Sequence, residues 1–269
     1  MKEQYNKEGF KLFKGVFTRG FCEELKQYNE TLPPKVMIPG TNIPWGWGNL
    51  LGKGPYKKIS ECKEINNFCK QILGEGYVFN HLFVHNKVPW CGLREDFHQE
   101  VFNISTFAPG YSPKNDWHKF MQIYIPLDDQ NLENGGLKII PGTPQEGILN
   151  HLDILGPNLG HKRRVTNDDL DRVFKKYGIV NCELNAGDVL CFNHLLVHGS
   201  TSNHSPYPRR AIVLQARKDD IPKDENVLKQ ETKYRTNFVI KMIKNRLETL
   251  EKKDIYKDSN LEIHEKVDK

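Results

Sequence analysis

The stretch ENGGLKIIPGT, residues 133–143, carries the clearest fold signal in the chain. Its N-G-G and P-G segments are strong turn signals, and they enclose the short apolar run Leu137–Ile140. The same pattern of turn residues recurs between Tyr77 and Gln215, where apolar runs such as Met121–Ile125 are separated by Gly, Pro and Asn. Many short strands divided by turns are typical of a sandwich or jelly roll. We therefore expect a mainly β fold in this part of the chain.

Helical spacing flanks and interrupts the β-rich part. Apolar residues three or four positions apart predict helices over Thr18–Asn29 and Glu61–Gly74, and the second ends at a glycine in the C-cap position. An insertion over Asp168–Tyr177 repeats this spacing. The apolar stretch Asp188–Val197, in contrast, predicts one continuous strand. The expected class is thus a mainly β fold with flanking helices.

The composition changes sharply at about residue 219. Within Lys229–Lys252, apolar residues such as Ile243, Leu247 and Leu250 stand in a highly charged background, which predicts a long amphipathic helix. This helix is expected either to lie on the sheet or to form a homodimer with a partner helix. The predicted organisation is a single domain over residues 1–218, followed by a charged amphipathic helix and tail over residues 219–269.

The composition also excludes several classes of protein. Of the 269 residues, 38% are hydrophobic, but no apolar run approaches the roughly 18 residues that cross a bilayer. The first twenty residues contain no signal-peptide core, and the six cysteines form no C-x-x-C pair. The net charge of +5 is spread along the chain, and the longest basic cluster, residues 161–164, lacks interleaved aromatic residues. We expect a cytoplasmic protein with reduced thiols and no membrane or nucleic-acid partner.

Two histidines and a glutamate form the most informative chemical pattern. Side chains at positions i and i+2 of a strand share a face, so His98 and Glu100 can present an imidazole nitrogen and a carboxylate oxygen to one metal ion. His198, on a neighbouring strand, would complete a facial triad, the ligand set of non-heme Fe(II) oxygenases. An H-x-E pair alone is weak evidence, because ten histidines produce such pairs by chance, and two polar residues on an exposed strand are the alternative.

The order of the motifs resembles that of phytanoyl-CoA dioxygenase-like proteins. Residues 133–143 resemble the family segment ENG-x-L-x-x-x-PGS, with Thr143 in place of the usual Ser. The other matching motifs lie in the family's order and are Leu127-Asp128-Asp129, Ala186-Gly187-Asp188-Val189-Leu190, His198-Gly199-Ser200 and Arg209. The resemblance covers roughly Val84 to Gln215 and is far more specific than any single motif.

This resemblance implies a double-stranded β-helix enzyme that uses Fe(II), molecular oxygen (O2) and the cosubstrate 2-oxoglutarate. Such an enzyme would hydroxylate a small-molecule metabolite and convert 2-oxoglutarate to succinate. By the same resemblance, His98, Glu100 and His198 would be the catalytic metal ligands. The family usually has Asp where this chain has Glu100, so the carboxylate is displaced by roughly one C–C bond while metal sites tolerate about 0.2 Å. A carboxylate at this position nevertheless argues against a halogenase.

The resemblance also assigns a binding site for the cosubstrate. Arg209 would form a bidentate pair with the distal carboxylate of 2-oxoglutarate, for which the planar guanidinium is well suited. Ser200 would share a face with His198 and donate its hydroxyl to that carboxylate. Gln122 and Tyr124 alternate with apolar residues and share a face, so we expect them to line the cosubstrate pocket.

Several residues compete for these roles. His194 lies four positions before His198, but lacks the following Gly-Ser, and we expect either a hydrogen-bonded core histidine or one that supports the metal ligands from behind. Arg210 competes with Arg209, but adjacent strand residues face opposite ways and only one can enter the pocket. Asp116-Trp117-His118 is a D-x-H pair in a loop, for which a surface turn is expected. His151 is expected to have a structural role.

For the remaining basic residues near the motifs, we expect positions without a part in catalysis. Lys87, Arg94 and Lys119 are expected at the surface, with contact to an anionic substrate group as the alternative. His81 and His85 lie on either side of Phe83 on one strand face and are expected to be half-buried. Two alternatives to the oxygenase stay open: a jelly-roll metalloenzyme that does not use 2-oxoglutarate, and a non-catalytic binding protein with a degenerate site.

Overall fold

The computed structural model describes residues 2–33, 36–37, 44–48, 50–91, 93–100, 116–154 and 163–219, with single positions at 226, 229, 233, 237, 240 and 244. The described helices are α1 (Lys2–Glu8), α2 (Arg19–Glu30), α3 (Lys57–Ser60), α4 (Lys63–Leu73) and α5 (Asn167–Tyr177). The described strands are β1 (Phe10–Phe13), β2 (Val36–Met37), β3 (Pro44–Trp47), β4 (Tyr77–Lys87), β5 (Glu95–His98), β6 (Phe120–Pro126), β7 (Leu137–Ile140), β8 (His151–Asp153), β9 (Arg163–Val165), β10 (Val180–Asn181), β11 (Val189–Asn193), β12 (Val197–Ser200) and β13 (Arg209–Lys218).

Two facing antiparallel sheets confirm the predicted double-stranded β-helix. The larger sheet has the strand order β1-β11-β6-β13-β4-β3-β2, and the smaller sheet has the order β10-β7-β12-β5. A separate hairpin pairs β8 with β9. Apart from β2, β3 and β4 at one edge of the larger sheet, neighbouring strands in both sheets are not consecutive in the chain, so residues far apart in the chain come together between the sheets.

The alternation of side chains divides the larger sheet into two faces. On the outer face, residues such as Ile123 and Leu214 pack against apolar residues of α2 and α4. On the inner face, Tyr124 and Ala211 form a core with Leu137 of the smaller sheet. Since successive strand residues point to opposite faces, the odd-numbered residues of β4 from His81 onward, the odd-numbered residues of β13 and the even-numbered residues of β6 face the space between the sheets.

The predicted helices are confirmed within two residues at each end. Helix α2 begins after Thr18, whose hydroxyl accepts a hydrogen bond from the main-chain N–H of Phe21 and so caps the helix. Helix α4 ends at Gly74, which has a φ of +79° that favours glycine. The insertion forms α5, which packs on the outer side of the smaller sheet through residues such as Val173.

The prediction of one strand over Asp188–Val197 is wrong. The chain forms β11, turns at 194–196, and continues as β12 in the other sheet. Asn193 stabilises this turn, because its side chain accepts from the N–H of Leu195 and its carbonyl accepts from the N–H of Leu196. Leu195 and Leu196 are themselves buried, so the turn has the apolar composition of a strand.

The predicted helix over Lys229–Lys252 lies largely outside the described residues. The six single positions described between 226 and 244 are helical and exposed. The homodimer through this segment therefore stays a prediction. Among the residues that the structure describes, no helix is both long and apolar enough to cross a membrane.

Candidate metal centre and the adjoining pocket

Three side chains with metal-binding atoms meet between the two sheets. His98 and His198 are opposite residues of β5 and β12, and their ring centroids are 4.3 Å apart. Atom Oε1 of Glu100 lies 3.7 Å from Nε2 of His98 and 3.3 Å from Nε2 of His198. One potential ligand atom from each residue lies within 4.8 Å of the other two. The structure thus brings together the three residues predicted as ligands.

This spacing fits a divalent ion of the first transition row. Bonds of about 2.1 Å to nitrogen and oxygen place neighbouring ligand atoms of an octahedron roughly 3 Å apart. The separations of 3.3 and 3.7 Å need only a small contraction to reach that value. All three residues are buried, and two imidazoles with one carboxylate are the donors of sites that leave three octahedral positions open.

The main chain orients both imidazole rings. Nδ1 of His98 donates to the carbonyl of Asp96 at 2.6 Å, and Nδ1 of His198 donates to the carbonyl of Leu196 at 2.9 Å. A carbonyl only accepts, so each Nδ1 carries the hydrogen and each Nε2 is left as the ligand atom that faces Glu100.

Glu100 does not lie on a strand, so the sequence argument that placed it on one face with His98 is wrong in this detail. Strand β5 ends at His98, so Glu100 lies two residues beyond the end of the strand. Its main-chain N–H donates to the carbonyl of His194 at 2.9 Å, which anchors residue 100 to the turn before β12. The longer side chain of Glu reaches the centre from this anchored position.

Gln99 holds the segment between the two ligands. Its side-chain Nε2 donates to the carbonyls of Gly147 and Leu195, and its Oε1 accepts from the N–H of Leu149. Its main-chain N–H donates to Nε2 of His151 at 3.3 Å, which agrees with the structural role predicted for that histidine. Burial lowers the pKa of His151 to about 4, so this acceptor nitrogen stays unprotonated at neutral pH.

The triad favours a positive charge at its centre. Burial opposes protonation of His98, but the Glu100 carboxylate outweighs burial and the pKa of His98 is raised. Burial and the nearby His98 lower the pKa of His198. The carboxylate therefore stabilises one cationic charge beside it, which is the electrostatic requirement of a divalent metal site.

A buried guanidinium lies between the same two sheets, at the start of β13. Arg209 is buried, and its Nη1 donates to the hydroxyl of Tyr124 at 2.9 Å. That hydroxyl in turn donates to Oε1 of Gln130 at 2.8 Å. Within the described part of the chain, Arg209 has no carboxylate partner, and its Nε has no hydrogen-bond acceptor. A buried cation of this kind is costly unless an anion joins it.

Ser200 and Lys87 meet close to this guanidinium. The Lys87 ammonium donates to Oγ of Ser200 at 2.9 Å and also to the carbonyl of Thr201. Lys87 is only 2% exposed, so its predicted surface position is wrong. A surface position was expected because lysines are mostly exposed in folded proteins. Lys87 instead lies on the inner face of β4, between the two sheets.

Gln122 and Tyr124 both face the space between the sheets, as predicted from their alternation. Gln122 is opposite Gln215 of β13 on one side and Phe192 of β11 on the other. The ring of Phe192 lies 4.7 Å from that of His198. In the described residues, Oε1 of Gln122 is buried and has no hydrogen-bond donor.

Aromatic rings on β3 and β4 form a wall along the inner face of the larger sheet. The ring centroids of Phe83 and His85 are 4.8 Å apart, and Trp45 lies 5.0 Å from Phe83 and 5.2 Å from His85. His81 and His85 are half-buried, as predicted. Burial, with a contribution from the charge of Arg209, lowers the pKa of His85 to about 3. The wall is thus uncharged at neutral pH.

Arg210 and His194, the alternatives to Arg209 and His198 in the sequence, make other contacts. Arg210 faces the opposite side from Arg209 and forms a bidentate ion pair with Asp128, with distances of 2.8 and 2.9 Å. The ring of His194 is buried and stacks on Phe120. Contrary to prediction, its ring nitrogens have no hydrogen-bond partner in the described part of the chain, and the residue supports the site only through its carbonyl.

The other basic residues near the motifs are paired. Arg94 contacts Asp96 at 2.9 Å, and Lys119 contacts Asp116 at 3.3 Å. The predicted turn is present at Trp117–Lys119, but Asp116 itself is buried, so its predicted surface position is wrong. Sequence reasoning missed Gln99, for which the only signal was its position between two ligands, and it did not connect Lys87 with Ser200.

Comparison with known proteins gives a family match. A family model described as phytanoyl-CoA dioxygenase (PhyH) matches residues 51–211. A curated protein of Dictyostelium discoideum, the phytanoyl-CoA dioxygenase domain-containing protein 1 homolog, is 32% identical over 92 residues. That alignment covers 34% of this chain and 32% of the relative, so the match spans about a third of the relative's length.

Solved structures show the same fold at low sequence identity. EctD from S. alaskensis, in its apoform, has a TM-score of 0.67 and 16% identity, over 83% of this chain and 78% of that chain. EvdO2 from Micromonospora carbonacea var. aurantiaca, complexed with 2-oxoglutarate, has a TM-score of 0.59 and 20% identity, over 81% and 89%. The epimerase SnoN, in complex with Fe3+, alpha ketoglutarate and nogalamycin RO, has a TM-score of 0.64 and 16% identity, over 81% and 82%.

Proposed function

Because the chain belongs to the phytanoyl-CoA dioxygenase (PhyH) family, we propose that it is an Fe(II)- and 2-oxoglutarate-dependent oxygenase that hydroxylates a small-molecule metabolite in the cytoplasm. The observation that carries this proposal is that a complete two-His-one-carboxylate set and a buried guanidinium without a carboxylate partner in the described residues both lie between the same two sheets. The solved relatives named above include complexes with iron and with 2-oxoglutarate, which agrees with the proposal.

His98, Glu100 and His198 are the proposed metal ligands. Iron held there would supply the redox chemistry that couples oxidation of the substrate to decarboxylation of 2-oxoglutarate to succinate. A metal held by these three residues would keep coordination positions for the cosubstrate and oxygen. The carbonyls of Asp96 and Leu196 fix the two rings, so the ligand nitrogens keep their direction as reactants enter and leave.

Arg209 is the proposed anchor for the distal carboxylate of 2-oxoglutarate. Its Nη1 is held by the hydroxyl of Tyr124, which leaves the other donors of the guanidinium for a bidentate pair with a carboxylate. Burial raises the pKa of Tyr124, so this hydroxyl stays neutral and can accept from the guanidinium. The Ser200 hydroxyl is the third proposed contact.

Gln122 is proposed to face the other end of the cosubstrate. It lies in the cross-strand row that includes Phe192, next to His198, whereas Arg209 lies several rows away towards the start of β13. A cosubstrate of five carbons held at both ends would therefore lie along the inner face of β6 and β13. The neutral wall of Phe83 and His85 would keep water from this space and limit side reactions.

An anaerobic titration tests the proposal. The protein is loaded with Fe(II), then titrated with 2-oxoglutarate, and the visible charge-transfer band of the complex is recorded. We expect the band with the wild-type protein and at least a hundredfold weaker 2-oxoglutarate affinity in Arg209→Met. Arg217→Met, which changes an arginine farther along β13, is the matched control and should retain the band.

The two alternatives give different results in the same experiment. Iron binding without any response to 2-oxoglutarate would indicate a metalloenzyme that does not use this cosubstrate. No iron binding would indicate a binding protein with a degenerate site. Succinate formation under air, measured in wild type and in His98→Ala, then links the metal site to turnover.

A further inference from the structure

We infer that Lys87 is a positioning residue for the distal carboxylate of 2-oxoglutarate, holding the Ser200 hydroxyl so that it donates to that carboxylate and placing a second cation beside Arg209. This inference rests on the proposed function and deepens it. It concerns a lysine that the family motifs described above do not include.

The strand register places the two cations side by side. Lys87, the last residue of β4, is directly opposite Arg209, the first residue of β13. Opposite residues of an antiparallel pair project from the same face with Cβ atoms about 5 Å apart. Both residues are buried on the inner face, so their charged groups lie in the same part of the space between the sheets.

The contacts of Lys87 determine what the Ser200 hydroxyl can do. The ammonium donates to Oγ of Ser200 at 2.9 Å and to the carbonyl of Thr201. An ammonium has no acceptor, so Ser200 must accept from it, and the hydroxyl hydrogen is directed to another group. An anion beside Arg209 is the group that gains most from this hydrogen, since a hydrogen bond to a charged acceptor is stronger than one to a neutral group.

The turn at residues 133–136 makes room for this lysine. A Cβ atom on Gly135 would lie 2.7 Å from Cδ of Lys87 and 2.7 Å from the carbonyl oxygen of Thr201. Gly135 also has a φ of +77°, which disfavours other residues. The glycine of the ENGG segment thus serves both the turn and the placement of the Lys87 side chain.

A comparison of two ligands separates this role from a merely structural one. The ligands are 2-oxoglutarate and 2-oxopentanoate, which has the same chain length but lacks the distal carboxylate. Binding to the Fe(II)-loaded protein is measured by anaerobic calorimetry, with competition against 2-oxoglutarate for the weaker ligand. Lys87→Met keeps the length of the aliphatic stem and removes the charge.

We expect Lys87→Met to weaken 2-oxoglutarate binding at least tenfold and to change the affinity for 2-oxopentanoate less than twofold. In Lys87→Met/Ser200→Ala, the loss should be smaller than the product of the two single losses, because both changes remove the same hydroxyl contact. Lys138→Met is the matched control: Lys138 is equally buried at 2% but alternates with Leu137 and Ile139, so it faces the other side of its sheet. It should retain the wild-type preference.

Equal losses for both ligands in Lys87→Met, or no loss for either, would overturn the inference. If Lys87→Met does not fold, as judged by circular dichroism, Lys87→Gln keeps a donor to Ser200 without the charge, so a smaller loss for 2-oxoglutarate is expected, again without a loss for 2-oxopentanoate. A wild-type protein with no preference for 2-oxoglutarate over 2-oxopentanoate would instead overturn the proposed function. The two failures are therefore distinguishable.

Discussion

The main-chain N–H of Glu100 donates a 2.9 Å hydrogen bond to the carbonyl of His194. This bond joins the end of β5 to the turn between β11 and β12, so it connects the two segments that carry the triad. The main chain at residue 100 is thereby fixed relative to His198. Whether a carboxylate at residue 100 lies close to His98 and His198 therefore depends on the length of its side chain and not on a shift of the strand.

Glu100→Asp, which introduces the residue usual in the family, is expected to weaken Fe(II) binding by a factor of ten or more. Shortening the side chain withdraws the carboxylate by about 1.5 Å, whereas metal sites tolerate displacements of about 0.2 Å. The bond to His194 prevents the main chain from following. The measurement is an anaerobic Fe(II) titration of both proteins. Glu133→Asp, in an exposed turn, controls for the substitution itself, and equal affinities of Glu100→Asp and wild type would contradict the expectation.

Gln99→Leu is expected to reduce the free energy of unfolding by about 3 kcal/mol, because it leaves the buried carbonyl of Leu195 and the N–H of Leu149 without their partners. Metal affinity should fall as well, since Gln99 fixes the segment between two ligands. Urea unfolding measures the first effect and metal titration the second. The matched control is Gln145→Leu, whose amide makes one exposed hydrogen bond, to the carbonyl of Asn6, and which should change stability by less than about 0.5 kcal/mol.

Local sequence patterns predicted the architecture because Gly, Pro and Asn residues mark many of the turns between strands. The N-G-G and P-G signals bound β7 as expected, and the helices follow their apolar spacing closely. The same reasoning failed at 194–196, where a turn consists of buried apolar residues. A run of apolar residues indicates that a segment is buried, but it does not distinguish a strand from a turn that is equally buried.

The candidate site was predictable only where its residues belong to short motifs. His98, Glu100 and His198 are recognisable from spacing and order, and the structure brings them together. The contact between Lys87 and Ser200 joins positions 113 residues apart and depends on the strand order of two sheets. No local pattern contains that information, so a lysine was expected at the surface.

Asp128→Asn is expected to reduce the free energy of unfolding by about 3 kcal/mol. The carboxylate accepts from the main-chain N–H, Nε and Nη2 of Arg210 and lies 3.1 Å from the ammonium of Lys26. Burial raises the pKa of this carboxyl, but the contacts with Arg210 and Lys26 outweigh burial and lower it overall. Chemical unfolding at pH 7 measures the loss.

The neighbouring residue provides the control for Asp128. Asp129→Asn changes an ion pair with Arg19 in which both side chains are more than half exposed. Exposed pairs contribute about 0–1 kcal/mol, so this variant should lose much less stability than Asp128→Asn. Similar losses in the two variants would show that burial of the Asp128–Arg210 pair is not what makes it important.

Glu146→Gln is expected to lower the melting temperature at neutral pH by an amount that shrinks in acid. Contacts with Lys176, Tyr177 and Arg172 lower the pKa of Glu146 from 4.5 to about 2. A carboxyl with a lowered pKa in the folded state stabilises the fold above its unfolded pKa, and this contribution disappears as the pH falls from about 4.5 to about 2. Melting curves of wild type and variant at pH 6, 4 and 3 should therefore converge. Glu183→Gln, at an exposed position, should show no such trend, and a constant difference between wild type and Glu146→Gln at all three pH values would refute this role of the carboxylate.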